Sequence, residues 1–414
     1  MPASLKGKRN KPAEPLPPPW NNNGLPRKVL TILLWFFASA IVALAVDDPQ
    51  PPRLLLTAQR LRRLKRDRER KTSRWLNFEN RVNTVPDSPE RGFELALYYA
   101  ITGDEAKGRE AIQWVLAHNS SRQTALVWDW CASLLPTANK TRSPSCVTDG
   151  VFTFPAVRDC VFQQIAFGKD VNSQPKDIMT SVPIDRLFNG ADLYAMCELI
   201  YAVRTVTHRD LRDADPHFYS TLPELLLLSA KPSELNSPPW MLHVAALALV
   251  ALDPNLPASQ FLQSWALEDN QTLRDGPGVA YELLWADPYL PGVGYQNMDT
   301  WVYDENGRLF ARSGWETNSC WIEISPRGIQ QENCPPNWQS ETIAFGHLTL
   351  IPMNQRCVEI PHVGNNESIL VWRLKPGQKL IHGKGKEQQV SVADSAGIWR
   401  PGAAVEGKAC LSPH

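Results

Sequence analysis

The sequence predicts a two-domain α+β protein, with a helical domain first and an antiparallel β-sandwich after it. Three observations predict this. Apolar residues recur at helical spacing in a series of segments between Ala58 and Leu273, joined by short turns. Beyond Arg308 the pattern changes to alternation with period two, punctuated by glycine and proline. The length of 414 residues is more than one hydrophobic core usually organises. A hydrophobic content of 43% with 21% charged residues excludes a disordered or polytopic membrane chain. The 43 basic side chains balance 43 acidic ones, so the global positive charge of a dedicated nucleic-acid binder is missing and no nucleic-acid partner is expected.

Residues 1–28 form a leader rich in proline, asparagine and basic residues, among them Lys6, Lys8, Arg9, Lys11, Arg27 and Lys28. An apolar run without a charged residue follows at 29–46. At about 1.5 Å rise per residue this run comes close to spanning a bilayer, and the basic residues ahead of it hold the leader in the cytoplasm. Ala43-Leu44-Ala45 has the small-x-small spacing of a signal-peptidase site, so both a cleaved signal and a retained transmembrane anchor fit. The rest of the chain is expected in the cell envelope, periplasmic or extracellular. All eight cysteines lie beyond the apolar run and none forms Cys-x-x-Cys, which predicts disulfides, paired within each half, over a zinc ribbon.

The helical domain is expected over residues 52–293. Thr57 can cap a helix from Ala58 to Arg70 in which Leu61 and Leu64 face inward. Arg60, Arg62, Arg63, Lys65, Arg66, Arg68 and Arg70 cover the rest of that helix. Such a charge run is either a solvated face or a patch for an acidic polymer or anionic lipid headgroups. Phe93–Ile101 and Asp104–Ala117, joined by Thr102-Gly103, read as a helical hairpin. Further helices are expected at Arg122–Leu135, from Phe162, and at Ile184–Val206, Leu222–Ser229, Met241–Leu252 and Ser259–Leu273. Paired helices over this length predict a toroid or solenoid rather than a four-helix bundle. The sandwich is expected over 294–414, with strands at Leu309–Ser313, Cys320–Ser325, Ile343–Ile351, Cys357–Ile360 and Ile369–Leu374, and hairpins near Gly383 and Gly397.

Several residues stand out chemically. Asp129 sits between Trp128 and Trp130 on an apolar helix, and an ionised carboxylate there needs a partner. It is either a buried pair with Arg122, two turns away, or a sugar ligand. His217 and Tyr219 follow Arg204, His208 and Arg209 in a stretch that is either an ordinary polar loop or part of a site. The segment Trp285-Ala286-Asp287-Pro288-Tyr289, with Tyr295, falls at the junction of the halves, where rings either stack on sugars or pack the domains together. The eight histidines form no His-x-His or His-x3-His pair, so no metal site and no cofactor are expected.

Four segments resemble the heparinase II/III-like polysaccharide lyases: Pro52-Arg53-Leu54-Leu55-Leu56-Thr57, Leu95 to Gly103 with Asp104-Glu105, Arg122-Gln123 with Trp128-Asp129-Trp130, and Leu309-Phe310-Ala311-Arg312-Ser313-Gly314-Trp315. The resemblance implies an incomplete α/α toroid before the sandwich, and an acidic polysaccharide as partner. It also implies β-elimination on uronic acids, which needs a neutralised carboxylate, a base and an acid. The family's His-x-His-x-Asp cluster is replaced here by Ser340, Thr342 and Ala344, with His347 retained just beyond. Catalytic candidates are therefore His347, Tyr219, His217 and Arg312. Substrate-binding candidates are Trp128, Asp129, Arg122, Trp285, Tyr295 and Trp315. Loss of the cluster leaves a second expectation open, a noncatalytic carbohydrate-binding or structural envelope protein of the same fold.

Overall fold

The computed structural model describes residues 54–118, 120–135, 153–168, 171, 190–235, 237–268, 271–304, 307–362, 364, 366–383, 388–401 and 406–413. They belong to one compact unit. The leader at 1–28 and the apolar run at 29–46 lie outside the described residues, and among those described no helix is long and apolar enough to cross a membrane.

The helices start where the sequence supplies caps. Thr57 opens α1 (Ala58–Glu69), and its side chain accepts from the Arg60 amide. Thr72 does the same for α2 (Ser73–Thr84). α3 (Arg91–Thr102) ends at Gly103, whose φ of 77° is the left-handed conformation that a helix terminus favours and glycine tolerates. Asp104 then caps α4 (Glu105–Ala117) by accepting from two backbone amides. α5 (Ser121–Trp130) is followed by α6 (Phe154–Ala166), α7 (Ala191–Thr207) and α8 (Pro216–Ser229). The series closes with a single turn, α9 (Pro232–Leu235), then α10 (Trp240–Leu252), α11 (Pro257–Ala266) and α12 (Gly278–Trp285). Three of these, α2, the single turn α9 and α12, lie where periodicity predicts none. α6 begins eight residues ahead of the expected Phe162, because Thr153 caps it and Pro155 pre-sets its first turn. For the segment expected to begin at Ile184, the residues before 190 lie outside the described ones.

The helices pack in a closed circuit. α1 touches α3, α3 touches α5, and contacts then run through α6, α7, α10 and α12 back to α1 and α2. α7 and α10 have neighbours all round, so both are buried along nearly their whole length and carry little amphipathic pattern.

Four of these helices end against an arginine. Arg63 donates to the Leu284 carbonyl at the end of α12 (2.7 Å), and Arg91 to Val82 in the last turn of α2 (2.6 Å). Arg204 donates to Leu252 at the end of α10 (2.8 Å), and Arg312 to Leu227 in the last turn of α8 (3.3 Å). Each satisfies a carbonyl with no intrahelical donor and places positive charge at the negative end of the helix dipole.

The strands form three sheets. β1 (Trp301–Tyr303), β2 (Leu309–Arg312), β3 (Trp321–Ser325) and β4 (Gly328–Glu332) make an antiparallel meander. β5 (Ile343–Phe345) pairs with β6 (Leu348–Pro352), which pairs with β8 (Ser368–Trp372). The third sheet runs in the order β10 (Gln389–Val392), β9 (Lys379–His382), β11 (Gly407–Leu411), β7 (Cys357–Ile360). The layout of helices first and largely antiparallel sheets second is therefore as expected, with one correction. β6 and β8 are parallel, because β7 between them crosses to another sheet and the chain returns in its original direction. The stretch expected as one strand, Ile343–Ile351, is a hairpin broken at Gly346, φ 56°.

The largest core spans the helices and takes in Phe310 of β2 and Trp321 of β3, so the first sheet shares apolar packing with the helical region. Trp321 also donates its indole N–H to the Leu228 carbonyl of α8. Cys320–Cys334 and Cys357–Cys410 are disulfides within the strand half. Cys160 is disulfide-bonded as well, while Cys131 and Cys197 are free and buried.

Candidate functional site

A cleft of about 640 Å³ opens where α1 meets the ends of α7, α10 and α12. Arg60, Arg63, Arg66 and Arg70 of α1 and Arg204 of α7 line it. Positions 60, 63, 66 and 70 recur every three or four residues, so they share one side of the helix. Asp287 is the one carboxylate among the described lining residues, and Tyr201, Trp285 and Tyr289 contribute rings. The charge run read from the sequence therefore divides. Arg62, Lys65 and Arg68 face solvent, and the other four arginines face the cleft.

Arg60 lies at its inner end and is 7% exposed. Its guanidinium sits 4.2 Å from the centres of both the Tyr201 and the Trp285 rings, in the corner made where those rings meet at right angles, their centres 5.4 Å apart. Nη1 donates to the Leu55 carbonyl at 2.6 Å. No carboxylate pairs with it among the described residues, and burial pulls its pKa down to about 10. Arg63 has Asp287 at 3.3 Å from Nη1, while its buried Nε meets no acceptor. At the mouth, Arg70 donates to the hydroxyl of Tyr289, an exposed ring, at 2.9 Å.

The Leu55 carbonyl is available because Leu55 is buried in the left-handed region, φ 58°, a conformation that costs roughly 1–2 kcal/mol for an L-residue. Two side chains of α5 hold that turn. Asp129 accepts from the Leu54 amide at 2.8 Å, and the Trp130 indole donates to the Leu54 carbonyl at 2.8 Å. A buried pair between Arg122 and Asp129 does not form. Seven residues of helix separate their backbones by about 10.5 Å along the axis, and each side chain meets nearer partners.

Those of Arg122 are Glu198, bound through Nε and Nη2 (2.6 Å for the shortest bond), and Glu90 and the Tyr281 hydroxyl, both 3.1 Å from Nη1. Glu198 also accepts from Arg158 (3.0 Å) and Tyr194 (2.6 Å). Burial alone would lower the Arg122 pKa, but Glu198 and its neighbours override it and the value is raised. The Tyr194 hydroxyl in turn accepts from the Trp285 indole at 3.0 Å. A continuous chain of contacts thus runs from Arg122 through Glu198, Tyr194 and Trp285 to Arg60.

Of the substrate-binding candidates, Trp285 lines the floor of the cleft. Arg122 and Asp129 support it from behind, and Trp128 is buried. Tyr295, Arg312 and Trp315 come together elsewhere, at the seam between helices and first sheet. The Arg312 guanidinium is 4.2 Å from the Trp315 ring centre, and Tyr295 meets that ring edge-on. Arg312 is fully buried, and its bonds go to the carbonyls of Gly314 and Leu227. His217 is exposed in the first turn of α8. Tyr219, two residues on, is buried, and burial raises its pKa. His347 is exposed between β5 and β6. None of the four catalytic candidates lines the cleft. Among the described residues no group of three or more His, Cys, Asp or Glu could hold a metal ion. Tyr201 is missing from the sequence reading, and Arg204 enters it only beside His208 and Arg209, not as a partner of the α1 arginines. Their three-residue spacing on one helix is the signal that could have found them.

No protein-family model matches this chain, and the search of curated proteins gave no match.

Proposed function

We propose that the protein binds an acidic polysaccharide in the arginine-lined cleft, on a helical toroid of the heparinase-like kind, and does so in the cell envelope. The observation that carries this reading is that, among the described residues lining the cleft, five arginines are set against one carboxylate and three aromatic rings form the walls. Guanidinium groups pair with carboxylate and ester oxyanions, and ring faces stack on sugars. The closed circuit of helices supports the toroid. Export through residues 29–46, as cleaved signal or membrane anchor, is supported by the disulfides, which persist in oxidising compartments. The test is retention of the full chain on heparan, chondroitin, hyaluronan and alginate. Retention is expected at low salt and should fall as salt rises, because the screening length drops from about 10 Å at 0.1 M to about 3 Å at 1 M. Arg66→Ala with Arg70→Ala, both at exposed positions, should weaken it. No retention on any of the four at low salt would end this reading.

A lyase remains the second reading, and one observation favours it. The exposed Tyr289 hydroxyl lies 2.9 Å from Arg70 at the mouth of the cleft, where a base next to a carboxylate neutraliser would stand. β-Elimination would pass the proton α to the uronate carboxylate to the Tyr289 oxygen while that hydroxyl gives its own proton to the leaving oxygen. The leaving oxygen takes the electron pair of the broken C–O bond and departs as an alcohol, leaving a double bond. Ultraviolet absorbance of unsaturated uronate tests it. A trace that stays flat with all four polymers, from folded protein, excludes it.

A further inference from the structure

The inner end of the cleft is more specific than a basic surface. Arg60 lies in the corner of two perpendicular rings, Tyr201 and Trp285, which fixes the direction of its planar set of N–H donors. Nη1 is bound to Leu55, and Nε and Nη2, the edge that binds oxyanions two at a time, have no acceptor among the described residues. Arg63, one helical turn along, has Nη1 beside Asp287 and Nη2 on the Leu284 carbonyl, and leaves its buried Nε without an acceptor. Both side chains are more than nine-tenths buried and both line the cleft. A buried guanidinium with donors unspent is costly unless an anion completes it. A single planar carboxylate is satisfied by one arginine edge. Two arginines with spare donors, in a cleft whose described lining residues carry five positive charges and one negative, suit a group with more charge and more oxygens. Phosphate carries about −1.5 to −2 at neutral pH and three acceptor oxygens.

We infer that the inner end of the cleft is a subsite for a phosphate group borne on a sugar, with Arg60 and Arg63 as its ligands. This rests on the cleft being the ligand site proposed above, and it narrows the acidic group that is recognised. Tyr289, exposed at the mouth, is the ring available to the sugar.

Calorimetric titration of the full chain tests the inference, with glucose 6-phosphate, inorganic phosphate and glucuronate as probes at matched ionic strength. Glucose 6-phosphate should bind at least about tenfold more tightly than glucuronate, because only the phosphate engages both arginines. Its affinity should fall as the pH drops below about 6, where phosphate loses its second charge, while that of glucuronate should not. Arg60→Lys keeps the charge, removes the two-donor edge and should remove the preference. Arg66→Gln, at an exposed position, should weaken both probes alike and serves if Arg60→Lys does not fold. Arg109→Ala, in an exposed pair away from the cleft, should change nothing.

Glucuronate binding as tightly as glucose 6-phosphate would overturn the subsite. So would an unchanged preference in folded Arg60→Lys. Binding of inorganic phosphate, or of phosphatidic acid vesicles, without glucose 6-phosphate would overturn the assignment to a sugar. Polymer retention without phosphate preference removes this inference and leaves the polysaccharide reading. Glucose 6-phosphate binding with no polymer retained does the reverse.

Discussion

Glu198→Gln is the most informative single change, because Glu198 is fully buried and four donors converge on it. Arg122 Nε and Nη2, Arg158 Nη1 and the Tyr194 hydroxyl all reach its carboxylate. Glutamine keeps the shape, removes the charge and turns a donor toward two guanidinium groups. Arg122, 7% exposed, would keep only Glu90 as a counter-charge. Breaking a buried pair from one side costs about 3–5 kcal/mol, since the remaining charge stays desolvated. The comparison is Glu105→Gln in the exposed Glu105–Arg109 pair, which should cost no more than about 0.5 kcal/mol. Urea unfolding of both variants at neutral pH measures the difference.

The pH dependence gives a second readout. Burial would raise the Glu198 carboxyl, but Arg122 and Arg158 overcome it and hold the folded value below the ordinary 4.5. Its contribution is therefore complete above 4.5, and it is lost as the pH falls through the depressed folded value. The gap between wild type and Glu198→Gln should narrow on acidification. A gap under about 1 kcal/mol at neutral pH, or one that does not narrow in acid, would refute the assignment of Glu198 as the counter-charge.

Two further changes probe other parts of the fold. Asp129→Ala strands the buried Leu54 amide and should cost about 1–3 kcal/mol, with faster limited proteolysis around residues 54–57; unchanged cleavage there would show that Asp129 does not hold the turn. Gly397→Ala places a methyl group against the Leu374 carbonyl at φ 76°, and should destabilise by at least about 2 kcal/mol in thermal or urea unfolding; a neutral result would mean that the loop shifts freely.

How much was legible in the sequence depended on how local the cause is. The hairpin around Thr102-Gly103 could be read because its cap, glycine and periodicity lie within a few residues of one another. The ends of α6 and the whole of α12 could not. Every residue of α12 is buried, so it carries no polar face to mark its period. The site divides in the same way. The arginine run of α1 was visible, but its meaning depends on rings brought to it from Tyr201 and Trp285, far along the chain. Asp129 was correctly marked as a carboxylate needing partners. One of its partners is the Leu54 backbone amide, which no pattern of side chains announces. Arg122 was paired by proximity in sequence with Asp129, whereas its partner Glu198 is 76 residues away.

The arginine that closes α12 also sets a schedule for the molecule. Arg63 emerges early in synthesis, but the Leu284 carbonyl it must reach comes 221 residues later. At about 5–20 residues per second, that is a wait of roughly ten to forty seconds. Throughout it, a helix dense in positive charge has neither its final acceptor nor the ring faces of Tyr201 and Trp285 complete around it. The first helix among the described residues is thus among the last to be finished. During that interval the arginines of the helix wait for their late partners, and the wall of the cleft they line is complete only when α12 has been made.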